Sequence, residues 1–344
     1  MARINMYLLL KEVSKMSKTV GIPKGLLYYD FYPMWKTFFE GVGAKVVVSQ
    51  DTNKKILDEG VKNCVEDACL PVKTYVGHVI NLKEKDVDYI FIPRIVSVER
   101  KKYLCSKFLG LPDFIKSLIG DLPPIIDIEI NYYKNNDKFT QNEFIKIGRM
   151  FGKTKDQSLK AYFKATHQQK KFESLLKEGL TNLEALKVWE GKNLVKEESN
   201  YDLKIAVIAH PYDIMDEYIS MGIIEKLKNM GAQVYTMEML ERDLILEGVS
   251  MLSKEMFWNY ERDILGAGLY FLKQKNVDGV IMVSAFGCGP NSMTEELLER
   301  IYKREKEVPF MLITIDEHSG EAGIMTRLEA FTDLLRFNKK AVMV

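Results

Sequence analysis

Short apolar runs alternate along the chain with longer segments whose apolar residues recur at helical spacing. Short runs of this kind predict buried strands, and the longer periodic segments predict helices. The first alternating part begins at Thr19, and its strand candidates are TVGIP, KVVVS, VDYIFIPRI and PIIDIEI. Its helix candidates are GLLYYDFYPMWKTFFEGVG, NKKILDEGV, KTYVGHVINLKE and LPDFIKSLIG.

The second alternating part begins at Leu203, and its strand candidates are LKIAVIAH, QVYTME, VDGVIMV and PFMLITID. Its helix candidates are EYISMGIIEKLKNMG, KEMFWNYERDILGAGLYFLKQK, TEELLERIYKRE and RLEAFTDLLRF. Between the two parts, from about residue 139 to 195, the pattern is helical and contains no strand candidate. This middle segment is expected to be a helical cap or linker.

Repeated strand-then-helix order predicts parallel sheets joined by right-handed crossovers. The expected fold class is therefore α/β, with two parallel-sheet domains and a helical segment between them. The expected boundaries are an N-terminal α/β domain over 19–135, the helical linker or cap over 136–200 and a C-terminal α/β domain over 201–338. The two halves are expected to use one architecture twice.

The composition of the chain limits which partners and which cellular location are expected. The chain has 344 residues, 28% of them charged, and a net charge of +1, which gives no electrostatic reason to expect a nucleic-acid partner. No run is long and apolar enough to predict a membrane span. The apolar patch Met6 to Leu10 is followed at once by Lys11 and Glu12, without a cleavage site, so a signal peptide is not expected. The cytoplasm is the expected compartment.

The four cysteines, Cys64, Cys69, Cys105 and Cys288, are too scattered to form a disulfide framework, so reduced thiols are expected. Each lies in a connection between predicted elements. Cys288, between Gly287 and Gly289, follows the strand candidate VDGVIMV and is expected at the carboxyl edge of a parallel sheet, where α/β proteins bind ligands. The alternative for each thiol alone is a buried small apolar side chain.

If the thiols share a ligand, zinc and an iron–sulfur cluster are the candidates. Structural zinc usually shows two close cysteine pairs, whereas only Cys64 and Cys69 are close in this sequence. The wide spacing of the cysteines along the sequence favours an iron–sulfur cluster held between domains. Structural zinc in a small-molecule-binding α/β protein stays open as an alternative.

Other polar residues follow predicted strands at the same edge. PFMLITID ends at Asp316 and is followed by Glu317 and His318, a plausible acid/base group, although a network that only fixes the loop is the alternative. His210 lies in AHPYD, just past another strand. Lys24 in GIPKG is a candidate contact for an anion, although this stretch lacks the phosphate-loop pattern.

Several motifs together resemble the acyl-CoA dehydratase activase-related family (the DUF2229 type), a branch of the 2-hydroxyacyl-CoA dehydratase superfamily. The motifs are VGIPKGLLYYDFYPMW, ACLPVKTYVGHV with VDYIFIPRI, AHPYDIMD, VSAFGCGPNSM and TIDEHSGEAGIMTRLEAF. The resemblance covers about residues 19 to 337, and the last two motifs are the specific ones.

The resemblance implies two doubly wound, flavodoxin-like or Rossmann-like domains. It also implies an iron–sulfur cluster, of the [4Fe-4S] or double-cubane type, in the cleft between them. It implies Cys69, Cys105 and Cys288 as ligands, with Cys64 as a fourth ligand or only a neighbour. Glycines beside a thiol let the backbone approach a bulky core, so Gly287 and Gly289 are expected to make room for it. An ATP-dependent activase is the implied electron donor, a small-molecule substrate is allowed, and a homodimer is left open.

Two kinds of function follow from this resemblance. One is an enzyme, either a dehydratase-like lyase or an oxidoreductase. An accessible cleft lined by His210, Glu317 and His318 would support this function. The other is a non-catalytic electron-transfer or cluster-carrier subunit, for which a cluster sealed by apolar residues would argue.

Overall fold

The structure, a computed structural model, describes residues 17–134, 137–194 and 201–342. The apolar patch at Met6 to Leu10, for which no signal peptide is expected, lies outside these ranges. Within them, no helix is long and apolar enough to cross a membrane.

The first half contains a four-stranded parallel sheet with strand order β2-β1-β3-β5. Two further short strands, β4 and β6, pair in parallel beyond it. The elements are β1 (Thr19–Ile22), α1 (Tyr28–Gly41), β2 (Lys45–Val48), α2 (Lys54–Asn63), α3 (Leu70–Lys83), β3 (Tyr89–Phe91), β4 (Arg94–Ser97), α4 (Ser106–Leu118), β5 (Ile125–Ile126) and β6 (Glu129–Asn131).

Three helices follow: α5 (Asp137–Met150), α6 (Lys155–Lys177) and α7 (Asn182–Trp189). The helical expectation for this segment is confirmed. The Thr154 and Thr181 side chains form capping boxes that start α6 and α7. Helix α6 packs along α1, where the Gln169 side-chain amide donates to the Asp30 carbonyl at 2.7 Å. The three helices therefore rest on the first half, while the expected domain boundaries stay a prediction.

The second half contains another four-stranded parallel sheet, with strand order β10-β9-β7-β8. Its central strand β9 is buried along its whole length, as expected for an unbroken apolar run. The elements are β7 (Leu203–Ile208), α8 (Pro211–Ile214), α9 (Ile223–Asn229), β8 (Ala232–Thr236), α10 (Arg242–Val249), α11 (Asn259–Gln274), β9 (Gly279–Ala285), α12 (Gly289–Glu305), β10 (Phe310–Ile315) and α13 (Glu321–Val342).

The two sheets have the same topology. When the strands are numbered within their own four-stranded sheet, each sheet has the order 2-1-3-4, the doubly wound order in which the first and third strands are neighbours. The expected fold class and the repeated architecture are both confirmed. In this order the crevice for a ligand lies at the carboxyl ends of the first and third strands, here β1 with β3 and β7 with β9.

Three elements differ from the sequence-based expectation. The strand expected to end at Pro93 is present as β3, but a further strand, β4, begins directly after the proline and was not expected. The helix expected from residue 217 begins only at Ile223, after a left-handed pair, Met221 and Gly222, at φ +52° and +65°. The helix expected from Lys254 begins at Asn259.

Helices α2 and α3 cross with almost no space between their backbones. A Cβ on Gly77 would lie 1.9 Å from the Ile56 carbonyl oxygen, and one on Gly60 would lie 2.0 Å from the Lys73 oxygen. Because α2 ends at Asn63 and α3 begins at Leu70, this crossing also fixes the loop that carries Cys64 and Cys69.

Gly77→Ala is expected to destabilise the protein by about 1–3 kcal/mol, because the added methyl group forces the two helices apart. The thermal unfolding midpoint measures the effect. Gly110→Ala in α4 is the matched control, since no atom lies within 4 Å of a Cβ there. That change is expected to be neutral or to stabilise by about 0.5–1 kcal/mol. Equal midpoints for the two variants would contradict the prediction.

Candidate functional site

Three of the four cysteines occupy the same position, the residue that precedes a helix. Cys69 precedes α3, Cys105 precedes α4 and Cys288 precedes α12. Pro71 and Pro290 stand in the first turn of two of these helices, where proline suits the start of a helix. A peptide N–H in the first turn of each helix lowers the pKa of the thiol before it by hydrogen bonding. The first peptide N–H groups of these helices therefore favour negative charge at the sulfur atoms.

The loops that carry Cys69 and Cys288 touch, although 219 residues separate them in the sequence. Gly287 has φ +80°, and a Cβ on it would lie 3.4 Å from the Cys69 Cα atom. Only glycine adopts this conformation without strain, so Gly287 allows the two halves to meet at this point. A Cβ on Gly289 would have no atom within 4 Å of it, so this residue faces open space. Of the two glycines expected to make room for a core, Gly289 is the one with space beside it.

Electrostatic effects connect Cys69 with each of the other two thiols. Burial raises the pKa of the Cys69 thiol to about 12, and the charges of Asp213 and Cys105 add to the rise. Burial also raises the pKa of Cys288 far above its ordinary value, again with Asp213 and then Cys69 as the next causes. The pKa of Cys105 rises through burial and through Glu261. At neutral pH these thiols are protonated until a metal or another positive group displaces the protons.

Cys64 stands apart from this group. It follows α2 and is half-buried, and burial raises the pKa of its thiol. The charged groups that act on its pKa are Lys73 and Lys107, not another thiol. Cys69 is therefore coupled to Cys105 and to Cys288, whereas lysines are the charged groups that act on Cys64.

His210 is fully buried between two carboxylates. Its Nδ1 atom lies 3.3 Å from Asp213 Oδ2, and its Nε2 atom lies 3.3 Å from Glu261 Oε1. The ring stacks on Tyr212 at a centroid distance of 4.8 Å. Burial lowers the pKa of His210, but the hydrogen bonds and charges of the two carboxylates outweigh burial and raise it to about 10. His210 is thus a buried imidazolium and does not line an open cleft, which differs from the expectation.

Two further acidic side chains, Asp30 and Glu238, are buried where the charge of His210 acts on them. The Tyr260 hydroxyl donates to Asp30 Oδ2 at 2.7 Å and joins the second half to the first. Burial raises the pKa of Asp30 to about 7 and that of Glu238 to about 7, and His210 lowers both. The interior between the halves therefore contains several carboxyl groups that titrate near neutral pH.

The remaining predicted site residues, apart from the cysteines and His210, are Glu317, His318 and Lys24. Glu317 Oε1 accepts from Lys73 Nζ at 2.6 Å, an almost buried ion pair between the two halves. Glu317 also lines a cleft of about 430 Å³, whose lining includes Asp316 and Ser319 but none of the four cysteines. His318 is exposed. Lys24 pairs with Asp51.

A hydrogen-bond chain at the first sheet's carboxyl edge also connects the halves. His78 is buried, with Nδ1 2.9 Å from Ser49 Oγ and Nε2 3.0 Å from Thr52 Oγ1. Thr52 in turn donates to Asp216 Oδ2 in the second half. Ser49 accepts from the Lys24 amide, so its hydroxyl proton goes to His78 and the imidazole N–H goes to Thr52. Sequence reasoning could not find this link, because Asp216 is remote in sequence from His78 and Thr52.

Asp213 and Glu261 are the residues of the site that sequence reasoning undervalued. Asp213 is visible in AHPYD, three residues after His210, but nothing in the sequence distinguishes its role from that of any polar residue in a short turn. Glu261 lies on a long helix, α11, and gave no signal, since an acidic residue in the first turn of a helix is ordinary.

The donor set suits an iron–sulfur cluster. In the described part of the chain, no group of three or more His, Cys, Asp or Glu side chains is arranged to hold a metal ion. A cluster, however, binds each thiolate through a different iron atom, so its thiols stand farther apart than the ligands of one ion. Three free thiols at helix starts, with open space at Gly289, match this need. Asp213 Oδ1 and both amide atoms of Asn291 are buried without a protein partner.

Fold and site define a class: an α/β protein of two like, doubly wound halves, with thiols from both halves gathered where the halves meet. The family profile of the CoA enzyme activase uncharacterised domain (DUF2229) matches residues 19–240, more than half of the chain. The chain belongs to this family. The profile of the 2-hydroxyglutaryl-CoA dehydratase, D-component, matches residues 261–335. No curated protein matches the chain.

Proposed function

We propose that the protein is an iron–sulfur redox protein, related to the 2-hydroxyacyl-CoA dehydratases, whose cluster is held between its two halves. Cys69, Cys105 and Cys288 would hold the cluster, which is of the [4Fe-4S] or double-cubane type. An ATP-dependent activase would reduce it, and the protein would carry out reductive or dehydration chemistry on a small substrate. The two family matches support the relation to dehydratases and to activase-linked proteins.

The observation that carries the proposal concerns three thiols from three separate connections: the loops of Cys69 and Cys288 are in contact, and Cys105 acts on the pKa of Cys69. Two come from the first half and one from the second, and Gly287 brings the second-half loop against Cys69. A buried small apolar cysteine needs no such convergence. Each thiol also precedes a helix of at least 13 residues, whose N–H groups favour a negatively charged ligand.

When bound, the cluster supplies single-electron transfer and a site that polarises an oxygen atom. The chain's own residues hold and surround it. The helix starts at Cys69, Cys105 and Cys288 direct peptide N–H groups at the sulfur atoms and so stabilise the reduced form. His210 keeps a proton on each ring nitrogen between Asp213 and Glu261, a fixed positive charge within a buried acidic region.

The cleft lined by Glu317 supports an enzyme. It lies at the carboxyl edge of the second sheet, and its wall is tied to the thiol region because Lys73, the partner of Glu317, is four residues past Cys69 on α3. The complete burial of His210 favours the second candidate, a cluster carrier without a substrate, since this side chain is closed to small molecules. Binding of a small acyl compound to the cluster-loaded protein would separate the two.

The test is anaerobic purification, or reconstitution with iron and sulfide, followed by metal analysis and electron paramagnetic resonance of the dithionite-reduced protein. The expected product is brown, contains iron and acid-labile sulfide, and gives a signal from a reduced cluster. A colourless protein that binds no iron after reconstitution would overturn the proposal. Stoichiometric zinc without sulfide would identify the structural-zinc alternative instead.

A further inference from the structure

We propose that the side-chain amide of Asn291 donates a hydrogen bond to sulfur at the Cys288 position of the cluster and thereby makes the cluster easier to reduce. The sulfur atom is either the Cys288 thiolate or the inorganic sulfide bound next to it. The inference rests on the function proposed above and adds to it a residue that tunes the cluster and leaves every iron position free.

The Asn291 side chain is completely buried, with an exposed fraction of 0%. Among the described residues, neither its Nδ2 atom nor its Oδ1 atom has a hydrogen-bond partner. An unpaired amide that is removed from water costs free energy, so a buried polar group of this kind calls for an explanation such as an ion or a cofactor. A cluster beside this side chain would give the amide N–H a sulfur acceptor.

Asn291 is the third residue of α12, and Cys288 is the residue that caps this helix. Side chains of a helix lean towards its N-terminus, so a side chain in the third position reaches back towards the cap residue. The peptide N–H of Asn291 already acts on the Cys288 sulfur, since it lowers the pKa of this thiol by hydrogen bonding. The backbone of Asn291 therefore lies beside the sulfur, and its side chain leans the same way.

The usual partner for a polar side chain in this position is already engaged. In a capping box, the side chain of the third residue accepts a hydrogen bond from the peptide N–H of the cap residue. Here the Cys288 N–H donates to the Ala285 carbonyl at 3.2 Å instead. The next buried polar side chain on α12 is Thr294, and its hydroxyl donates to the Pro290 carbonyl at 3.4 Å. Thr294 is thus satisfied within the helix, whereas the Asn291 amide is left for a group outside the chain.

Hydrogen bonds to the sulfur atoms are one of the factors that set the reduction potential of an iron–sulfur cluster. Reduction adds negative charge to the cluster, and an N–H donor stabilises that charge. The Asn291 amide would act in the same direction as the first peptide N–H groups of α12. Because the amide is neutral, it does so without placing a further charge in the buried region between the halves.

The experiment compares wild type, Asn291→Leu, Asn291→Ala and Thr294→Val after anaerobic reconstitution, by a redox titration followed with electron paramagnetic resonance. Both Asn291 variants lack the N–H donor and are expected to have a more negative midpoint potential. The expected change is about tenfold in the one-electron equilibrium, or about 59 mV. Thr294→Val is the matched control, since it removes a buried polar atom from the same helix, about one turn farther from Cys288. Its potential is expected to equal that of wild type.

The apoprotein separates this role from a structural one. Asn291→Leu replaces an unpaired amide with an apolar side chain of similar size, so the free energy of unfolding of the apoprotein is expected to stay unchanged or to rise. If the amide served the fold instead, this variant would lower that free energy and keep the wild-type potential. That pair of results would overturn the inference.

An unchanged potential in both Asn291 variants, with full iron content, would overturn the role of Asn291 and leave the proposed function intact. An equal shift in Thr294→Val would also overturn it, because any change in the packing of α12 would then move the potential. If Asn291→Leu does not fold, Asn291→Ala decides, since it adds no volume. Wild-type protein without iron would overturn the proposed function and this inference with it.

Discussion

Cys288→Ser is expected to lose most of the iron and sulfide that the wild-type protein binds after anaerobic reconstitution. Cys288 is the thiol that the second half contributes to the group, and a serine hydroxyl is a far poorer ligand for iron than a thiolate. Because the side chain is small and lies before α12, the substitution is expected to leave the fold unchanged. Iron and sulfide per chain, measured beside the circular dichroism spectrum, test both statements.

Cys64→Ser is the matched control for this experiment. It is also a free, partly buried cysteine beside a helix end, but it lies outside the field of the other thiols. Its iron content is expected to equal that of wild type. If Cys64→Ser loses the cluster and Cys288→Ser keeps it, the assignment of the ligands is wrong, although an iron–sulfur protein remains.

His210→Leu is expected to lower the free energy of unfolding by about 3–5 kcal/mol at pH 7, because it leaves Asp213 and Glu261 buried without their cation. The leucine side chain fills a similar volume, so the loss reports charge more than packing. Urea unfolding of the apoprotein, followed by tryptophan fluorescence, measures the change. His167→Leu serves as the control, since His167 is exposed on α6 and the same substitution there is expected to have little effect.

The stability that protonated His210 contributes to the fold is expected to decrease as the pH rises. The folded-state pKa of about 10 lies above the ordinary value of 6.5, so the proton on His210 contributes stability that is fully present below pH 6.5. That contribution is lost as the pH rises from 6.5 through about 10. The difference in unfolding free energy between wild type and His210→Leu is therefore expected to shrink over this window. A difference that stays constant from pH 6 to about pH 10 would show that His210 is not a buried imidazolium.

Local patterns in the sequence were sufficient to predict the α/β class and the parallel sheet of each half. Apolar runs such as VDGVIMV are buried on both faces, which requires helices on both sides of a parallel sheet. The same logic placed Cys288 at a carboxyl edge, because the strand before it and the helix after it are both evident. Where a short-range signal was interrupted, as at Met221 with Gly222, the predicted helix was too long.

The grouping of the thiols depended on contacts between distant segments. The sequence resemblance suggested Cys69, Cys105 and Cys288, but no periodicity relates a loop before α12 to one before α3. The contact arises because Gly287 has a positive φ and no Cβ, a property that is visible only once both halves are folded. Cys64 is only five residues from Cys69 in the sequence, and only the tertiary structure separates it from the other thiols.

The sequence by itself determined the strands, the helices and the connections in which the chemistry-bearing residues lie, since these follow from hydrophobic periodicity and from residues that start or end helices. Only the tertiary structure decided which of those connections meet and which polar groups are removed from water. It buried His210 between two carboxylates, paired Glu317 with Lys73 and left one oxygen atom of Asp213 buried without a hydrogen-bond partner. Burial and charge proximity depend on how the halves pack against each other, and that packing has no period along the chain.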